Sequence, residues 1–413
     1  MPRLSIASFS LVAAVCGLPP LTAQAQGLPE GASKALVEGV CTACHPVNQI
    51  TQSSGYTREG WKELTGTMID LSKTPEEQNK ITEYLATNFP PNSKRGPKLV
   101  SGDAKVAFKE WTVPTLGQRS RDPIEAPDGS IWWVGQWSDL IGRIDPKTDE
   151  VKEYPLPPKS KPHTVTIDKA GGIWYTGNGN GTIGKIDPAT GKVTVYKMPD
   201  PAAKDPHSAK FDPKGILWFT LQNSNMVGRL DPATSDVKLV TMKTPNSKPY
   251  GIKMDAEGTP WVACNGSNCL VRVDPATMEL TEVKLPTPGT TVRRLDIAPD
   301  GMIWYVNSTK GKLGRVNPKT GDIKEWDSPS GPDSHPYAIA FVGGYVWYNE
   351  SGMRPDVLVR FDPNTEKFQS WVIPSGGVHA GIIRHMRPTR DGNLLIHQSS
   401  TNRIILVTLN SAR

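Results

Sequence analysis

The chain has 413 residues, including 38 Gly, 38 Pro and 12 Trp, and a formal net charge of +6 at pH 7. That length accommodates two domains, and the composition suits many short strands and turns better than long helices. The positive charge is spread along the chain with no basic stripe, which describes a solvated surface and excludes nucleic acid as the expected partner.

Residues 1–25 read as an export signal. Arg3 gives a positive start, residues 6–21 are apolar, and Ala23-Gln24-Ala25 supplies the small residues of a cleavage site, so the mature chain is expected to begin at Gln26. Cys16 raises a lipoprotein alternative, which the bulky Val15 before it disfavours. The apolar run contains Pro19 and Pro20 and is too short to span a bilayer. No later segment is long enough. The expectation is a periplasmic or otherwise exported, soluble protein without stable membrane insertion.

Residues 28–92 have a helical pattern. Ala35, Leu36 and Val40 precede a cysteine pair, and Trp61, Leu64, Met68 and Leu71 follow at helical spacing. Thr74-Pro75-Glu76-Glu77 has the chemistry of a helix start, and Ile81, Tyr84 and Leu85 form the apolar face behind it. The proline-rich stretch around 90–97 ends this region, with residues 93–106 as a linker.

Inside the helical region stands Cys41-Thr42-Ala43-Cys44-His45, a C-x-x-C-H haem attachment motif. Its two thiols add across the haem vinyl groups and the adjacent histidine reaches the iron. One covalent haem c is therefore expected. Met68 is the sole methionine between the motif and residue 107, and no other histidine precedes His163, so His45 and Met68 are the expected iron (metal) ligands. The plain alternative is that Met68 fills core. Six-coordinate His/Met iron carries single electrons. Over residues 35–89, with Tyr56 and Trp61 five apart, Met68, and Ile81, Tyr84 and Leu85, the segment resembles the small haem domains appended to periplasmic quinohaemoprotein dehydrogenases.

From residue 107 the chain repeats. Trp132, Trp174, Trp218, Trp261, Trp304 and Trp347 recur at spacings of 42, 44, 43, 43 and 43. After the first three come Ile-Gly-Arg-Ile-Asp-Pro, Ile-Gly-Lys-Ile-Asp-Pro and Val-Gly-Arg-Leu-Asp-Pro, with variants after the rest. Asp-Pro is turn chemistry, and four short strands in each repeat of this length make a propeller blade. A degenerate seventh unit has Leu395 at the tryptophan position and lacks a fourth strand, while residues 108–114 match residues 151–155 and supply it. The predicted fold is a small all-α cytochrome c domain followed by an all-β seven-bladed propeller over 107–413, its last blade closed by the first propeller strand. Cys264 and Cys269 flank a turn-rich Asn-Gly-Ser-Asn, and export predicts a disulfide between them, with a pair of free thiols as the alternative.

Ligands of propellers gather on the axis, which the innermost strands face. Counting back 11 residues from each tryptophan position, or 10 in the sixth blade, gives Arg121, His163, His207, Tyr250, Arg293, Tyr337 and Arg384. Arginine, histidine and tyrosine around one axis make a donor-rich cationic funnel for an anionic or polar ligand. The alternative is a wet pore mouth whose side chains bond backbone and water.

The repeats resemble the virginiamycin B lyase (streptogramin lyase) family of seven-bladed propellers. The residues that carry this are Lys-Pro-His163, Asp-Pro-His207, Lys-Pro-Tyr250-Gly-Ile and Leu-Trp-Phe-Thr at 217–220. The resemblance implies ring histidines in the last two blades and a glutamate three past the aromatic position, acting with magnesium. The matching positions here are Tyr337, Arg384 and Gln398; Glu350 keeps an acid in the sixth blade, and Leu221 replaces it in the third. His335 and His379 fall on loops entering blades, His385 follows a ring residue, and His397 is expected between blades.

Three functions follow. The first is an electron-carrying haem protein whose propeller docks a polar or anionic substrate or a periplasmic redox partner. The second is a magnesium-assisted C–O lyase with an appended cytochrome. The third is a non-catalytic binding scaffold. A quinone-dependent dehydrogenase fits less well, since such propellers have eight blades and a different tryptophan motif. No catalytic residue is assigned by the sequence.

Overall fold

The computed structural model describes residues 27–43, 47–51, 53, 56–91, 96–377 and 383–410. The export stretch, Cys44, His45 and His379 lie outside them. The repeats form seven four-stranded antiparallel sheets. Blade 1, from the axis outward, is Ser120–Glu125, Ile131–Gly135, Leu140–Ile144 and Val151–Pro155. Blades 2 to 6 repeat this order. Blade 7 takes Arg387–Pro388, Leu394–Gln398 and Arg403–Asn410, and its outermost strand is Lys105–Thr112 from the start of the propeller. That strand runs in continuous register from Lys105 opposite Asn410 to Thr112 opposite Arg403. The ring is thus closed by hydrogen bonds between its two ends, which leaves no frayed edge.

The repeated residues explain the repeated geometry. The indole Nε1 of Trp174 donates to Asp168 Oδ2 at 2.8 Å, and Trp218 and Trp261 do the same to Asp212 and Asp255 at 3.0 and 3.1 Å. In four blades the tryptophan face stacks on an aromatic of the outer strand: Trp132 on Tyr154 at 5.7 Å, Trp174 on Tyr196 at 5.4 Å, Trp304 on Trp326 at 5.5 Å and Trp347 on Trp371 at 5.6 Å between centroids. The glycine of the Ile-Gly-Arg signature is a packing requirement. A Cβ on Gly142 would lie 2.0 Å from the Trp133 ring. Gly142→Ala is expected to lower stability by about 1–3 kcal/mol through overpacking, read as a lower denaturation midpoint with the folded far-UV spectrum retained.

Among the described residues four helices precede the propeller: α1 (Lys34–Cys41), α2 (Asn48–Thr51), α3 (Arg58–Gly66) and α4 (Pro75–Asn88). They enclose their own cluster, with Val37, Ile50, Trp61, Leu64, Ile81 and Leu85 buried in it. α4 starts at Pro75 with Glu76 and Glu77 in its first turn, although Thr74 makes no side-chain cap. α3 is capped by Thr57, whose hydroxyl accepts from Gly60 N, and it stops at Gly66. Met68 therefore lies past the helix rather than on its face. No helix among the described residues is long and apolar enough to cross a membrane.

The helical unit sits on blades 7 and 1. Asn402 Nδ2 donates to the Thr67 carbonyl at 2.7 Å, Tyr56 OH to the Ser375 carbonyl at 3.0 Å, and Arg403 Nη2 to Glu63 at 2.8 Å. The segment after it is less free than a linker. Val100 exchanges hydrogen bonds with Ser370 on the outer strand of blade 6, and Gln369 donates to the Ala104 carbonyl. The first propeller strand begins at Lys105, inside the expected linker.

The expected disulfide is not formed. Cys264 and Cys269 both carry free thiols, at the ends of two paired strands. They are buried and bonded to each other, and Ser267 Oγ is 3.2 Å from Cys269 Sγ. The hairpin brings the sulfurs together as partners in a hydrogen bond, so their proximity is satisfied without a covalent link.

Candidate functional site: an axial funnel beside an apolar cleft

The inner strands of blades 1 to 6 each carry a bulge. The register against the second strand shifts after Arg121 in blade 1 and across the corresponding residues of blades 2 to 6. A bulge adds one residue and breaks strict alternation, and here side chains from two consecutive positions meet across the axis. The first tier is the ring indexed from the tryptophans. The second is the residue after each: Asp122, Thr164, Ser208, Gly251, Arg294, Ala338 and His385.

The first tier is brought together. The His163 and His207 rings are 3.4 Å apart between centroids, and His207 and Tyr250 4.1 Å. The Tyr250 and Tyr337 hydroxyls share a short hydrogen bond. The Arg293 guanidinium lies 4.7 Å from the Tyr337 ring centroid. Arg121 is buried, with Nη1 donating to Gln136 at 2.7 Å while Nε and Nη2 find no partner. Arg293 Nε and Arg384 Nη1 are likewise buried without partners.

Burial drives both histidines far below their ordinary pKa, helped by Arg121 at His163 and Arg294 at His207. They are neutral. For Tyr337, burial acts to raise the phenol, but the guanidinia of Arg293 and Arg384 and the bond with Tyr250 outweigh it and bring it down to about 7. Tyr250 moves up, through burial and the charge of Tyr337. Of this hydrogen-bonded pair, Tyr337 is the one able to accept a proton near neutral pH.

The second tier is centred on Asp122, fully buried in a left-handed conformation with φ of 57°. Thr164 Oγ1 donates to its Oδ2 at 2.7 Å, His385 Nδ1 lies 3.2 Å away, and Arg387 and Arg294 approach at 3.7 and 3.9 Å. Burial acts to raise the carboxyl, and His385, Arg294 and Arg387 hold it well below the usual carboxylate range. Arg294 also donates to Ser208 and to the Arg384 carbonyl. It crosses in front of Gly251, where a Cβ would lie 2.7 Å from the Arg293 carbonyl and 3.2 Å from Arg294 Cδ. Across the two tiers and Arg387, five guanidinia face one carboxylate.

Other expected positions do different work. His335 reaches the funnel, 6.1 Å from the Tyr337 ring, and bonds Ser351. His397 is fully buried, its Nε2 accepting from the Arg384 and His385 main chain, so it holds the strand entrance. Glu350 is buried and accepts from the amide and hydroxyl of Ser330, which fixes a loop. Gln398 donates to Asp356 at 3.3 Å. Among the described residues no group of three His, Cys, Asp or Glu side chains is arranged to hold a metal ion.

At the funnel's edge a cleft of about 190 Å³ opens between the helical unit and the propeller. Val40, Cys41, Met68 and Ile69 line it from the helical side, and Arg119, Trp137 and Asn402 from blades 1 and 7. Cys41 and Met68 thus share one cavity. Arg119 stands between cleft and funnel, 4.8 Å over the Trp137 ring. Burial, with the charges of Arg384 and Arg121, lowers its pKa to about 8, the signature of a cation short of a counter-ion.

The virginiamycin B lyase family profile matches residues 98–273 and 236–412. Virginiamycin B lyase from Staphylococcus aureus superposes with a TM-score of 0.67 at 24% identity, covering 74% of this chain and 100% of that one. The catalytically inactive form of that lyase with quinupristin gives 0.66 at 24%, with the same coverage. The extracellular domain of a one-component system from B. thetaiotaomicron gives 0.55 at 14%, covering 74% of this chain and 42% of that one. At these identities the likeness shows the fold. No curated protein matches the chain. With the profile spanning the whole propeller, the chain belongs to the virginiamycin B lyase family.

Proposed function

We propose that this chain is an exported propeller of the lyase family whose axial funnel receives an anionic ligand and whose helical unit carries one haem c at the funnel's mouth. The observation that carries the reading is the set of unpartnered, buried guanidinium donors at Arg121, Arg293 and Arg384. Buried charge without a partner is costly, and a carboxylate or phosphate on the axis would supply the missing acceptors.

The haem part rests on the Cys41–His45 motif and on the cleft. Its apolar walls suit a porphyrin, and Ile69 and Trp137 stand 39% exposed in it, open to cover by a flat apolar ring. Cys41 and Cys44 would hold the ring, and His45 and Met68 the iron. Bound there, the group supplies single-electron transfer. The chain's own contribution is to wall the group from water with the helical core and to place it against the propeller. Cys41→Ala with Cys44→Ala is expected to abolish covalently bound haem. Met68→Ala should keep it, lose the weak thioether-to-iron band and open the iron to carbon monoxide. Covalent haem persisting in the double variant overturns the attachment, and an unchanged oxidised spectrum in Met68→Ala moves the ligand elsewhere.

A second reading, a C–O lyase, is favoured by family membership and by Tyr337, whose phenol can accept a proton where the family has a histidine. Against it stand Arg384 and Gln398 at the other two matched positions and the engagement of Glu350 by Ser330. Mass spectrometry of quinupristin incubated with the protein and magnesium separates the two. We expect no ring opening. Turnover that disappears in Tyr337→Phe would put the lyase first.

A further inference from the structure

Arg119 has no role in either tier of the funnel. It lies two residues before Arg121, in left-handed backbone with φ of 54°, and its amide donates to Asn402 Oδ1 at 3.2 Å. The guanidinium rests over Trp137, and both side chains line the cleft that holds Cys41 and Met68. Among the described residues, Arg119 is the sole charged side chain on that cleft wall, and no carboxylate is among the groups that act on it. Arg384 and Arg121 repel it, and the Tyr337 and Tyr250 phenols offset part of that repulsion. A guanidinium is built for bidentate recognition of a carboxylate, and stacking on an aromatic face holds its plane while leaving the edge donors free. The cleft is otherwise apolar, so an anion entering it has one cation to meet.

We propose that Arg119 pairs with a propionate of the haem, so that a propeller residue anchors the edge of a group carried by the helical unit and helps set its potential. This rests on the haem reading above. A haem is apolar except for its two propionates, and one of them placed in this cleft must either reach water or be neutralised. Pairing with Arg119 does the second and turns the haem edge toward the funnel. A nearby positive charge stabilises the reduced iron, which carries one positive charge fewer, so removing the cation lowers the potential. Arg119 acts as a positioning residue, since the reacting atoms lie elsewhere.

The experiment uses the full-length haem-loaded protein as wild type, Arg119→Gln and Arg119→Lys. Covalent haem is measured by mass spectrometry, the midpoint potential by optical redox titration, and the propionate bending mode by resonance Raman. Arg119→Gln should keep covalent haem and the thioether band, shift the midpoint to more negative values and move the propionate mode. Arg119→Lys should retain most of the wild-type potential, because it keeps the charge, while altering the propionate mode, because it loses the bidentate fork. A wild-type potential and propionate mode in haem-loaded Arg119→Gln overturns the pairing and leaves the haem reading intact. Absence of covalent haem from the wild type overturns the haem reading, and the pairing with it.

Discussion

Asp122→Ala is expected to lower the stability of the propeller by about 3–5 kcal/mol, the range for removing one partner from a buried charge cluster. Asp122 is the lone carboxylate among the axial guanidinia. Without it Arg294 and Arg387 face each other's charge in a site that excludes water, and Thr164 loses an acceptor. These partners come from blades 2, 5 and 7 while Asp122 belongs to blade 1, so the loss is felt around the ring rather than in one sheet. The pH dependence has a defined sign. The folded carboxyl is held below its unfolded value, so its contribution is complete above the unfolded pKa of about 3.9 and is lost as pH falls toward the folded value. Denaturation of wild type and variant should therefore differ by a constant amount near neutrality, with the gap closing only below about pH 4. A variant as stable as wild type at pH 7 would show that the arginines find other acceptors.

This cluster marks the limit of what the sequence displays. The tryptophan spacing, the Asp-Pro turns and the match between residues 108–114 and 151–155 were enough to expect seven blades and the closing strand. The ring from Arg121 to Arg384 followed from counting. Asp122, Arg294 and His385 did not, because a strand with period two turns every second residue away from the axis. The bulge breaks that period, and its signal is visible in retrospect. Arg121-Asp122, His163-Thr164, His207-Ser208 and Arg293-Arg294 are pairs of consecutive polar residues in strands that otherwise alternate. Arg119 was beyond reach for another reason. Its partners, Trp137 on a loop of the same blade and the cleft walls Cys41 and Met68, assemble only when the helical unit docks. The cysteine pair was legible as a contact, since a short hairpin imposes it, but not as a thiol pair, since spacing carries no information about redox state.

Family membership and axial chemistry point in different directions, and the difference is concentrated at three positions. Tyr337 and Arg384 occupy ring places where the family resemblance implies histidines, and Gln398 a place where it implies an acid. Exchanging an imidazole and a carboxylate for a guanidinium and an amide removes metal-binding capacity and adds positive charge. Asp122 neutralises part of that charge from one tier below, and the bonds of Arg294 to Ser208 and the Arg384 carbonyl fix where the rest of it lies. Tyr337 completes the change, since the same cations that would hold an anion also make its phenol acidic. The funnel is thus one electrostatic unit, in which ligand binding and the protonation of Tyr337 are coupled: an anion seated among Arg121, Arg293 and Arg384 should raise the tyrosine's pKa.

Arg121→Gln combined with Arg384→Gln should weaken anion binding to the funnel by about a hundredfold to ten-thousandfold. Each hydrogen bond to a charged group contributes about 1.5–3 kcal/mol, two of them about 3–6 kcal/mol together, and each 1.4 kcal/mol is a factor of ten. Citrate, which carries several carboxylates, is a suitable probe, with affinity measured by isothermal titration. Two checks separate loss of the site from loss of the fold. The denaturation midpoint should not fall, because neither residue contacts Asp122 directly and removing two of the five guanidinia relieves repulsion. The covalent haem proposed above and its thioether band should also be unchanged, because neither arginine lines the cleft. Salt supplies a further discriminant. Buried charges are screened less than exposed ones, so citrate bound in the funnel should lose little affinity as ionic strength rises, whereas binding to the outer lysines should collapse. If the double variant binds citrate as tightly as wild type and that binding is abolished by salt, the anion site lies on the outer surface, and the unpartnered donors on the axis are satisfied by water alone.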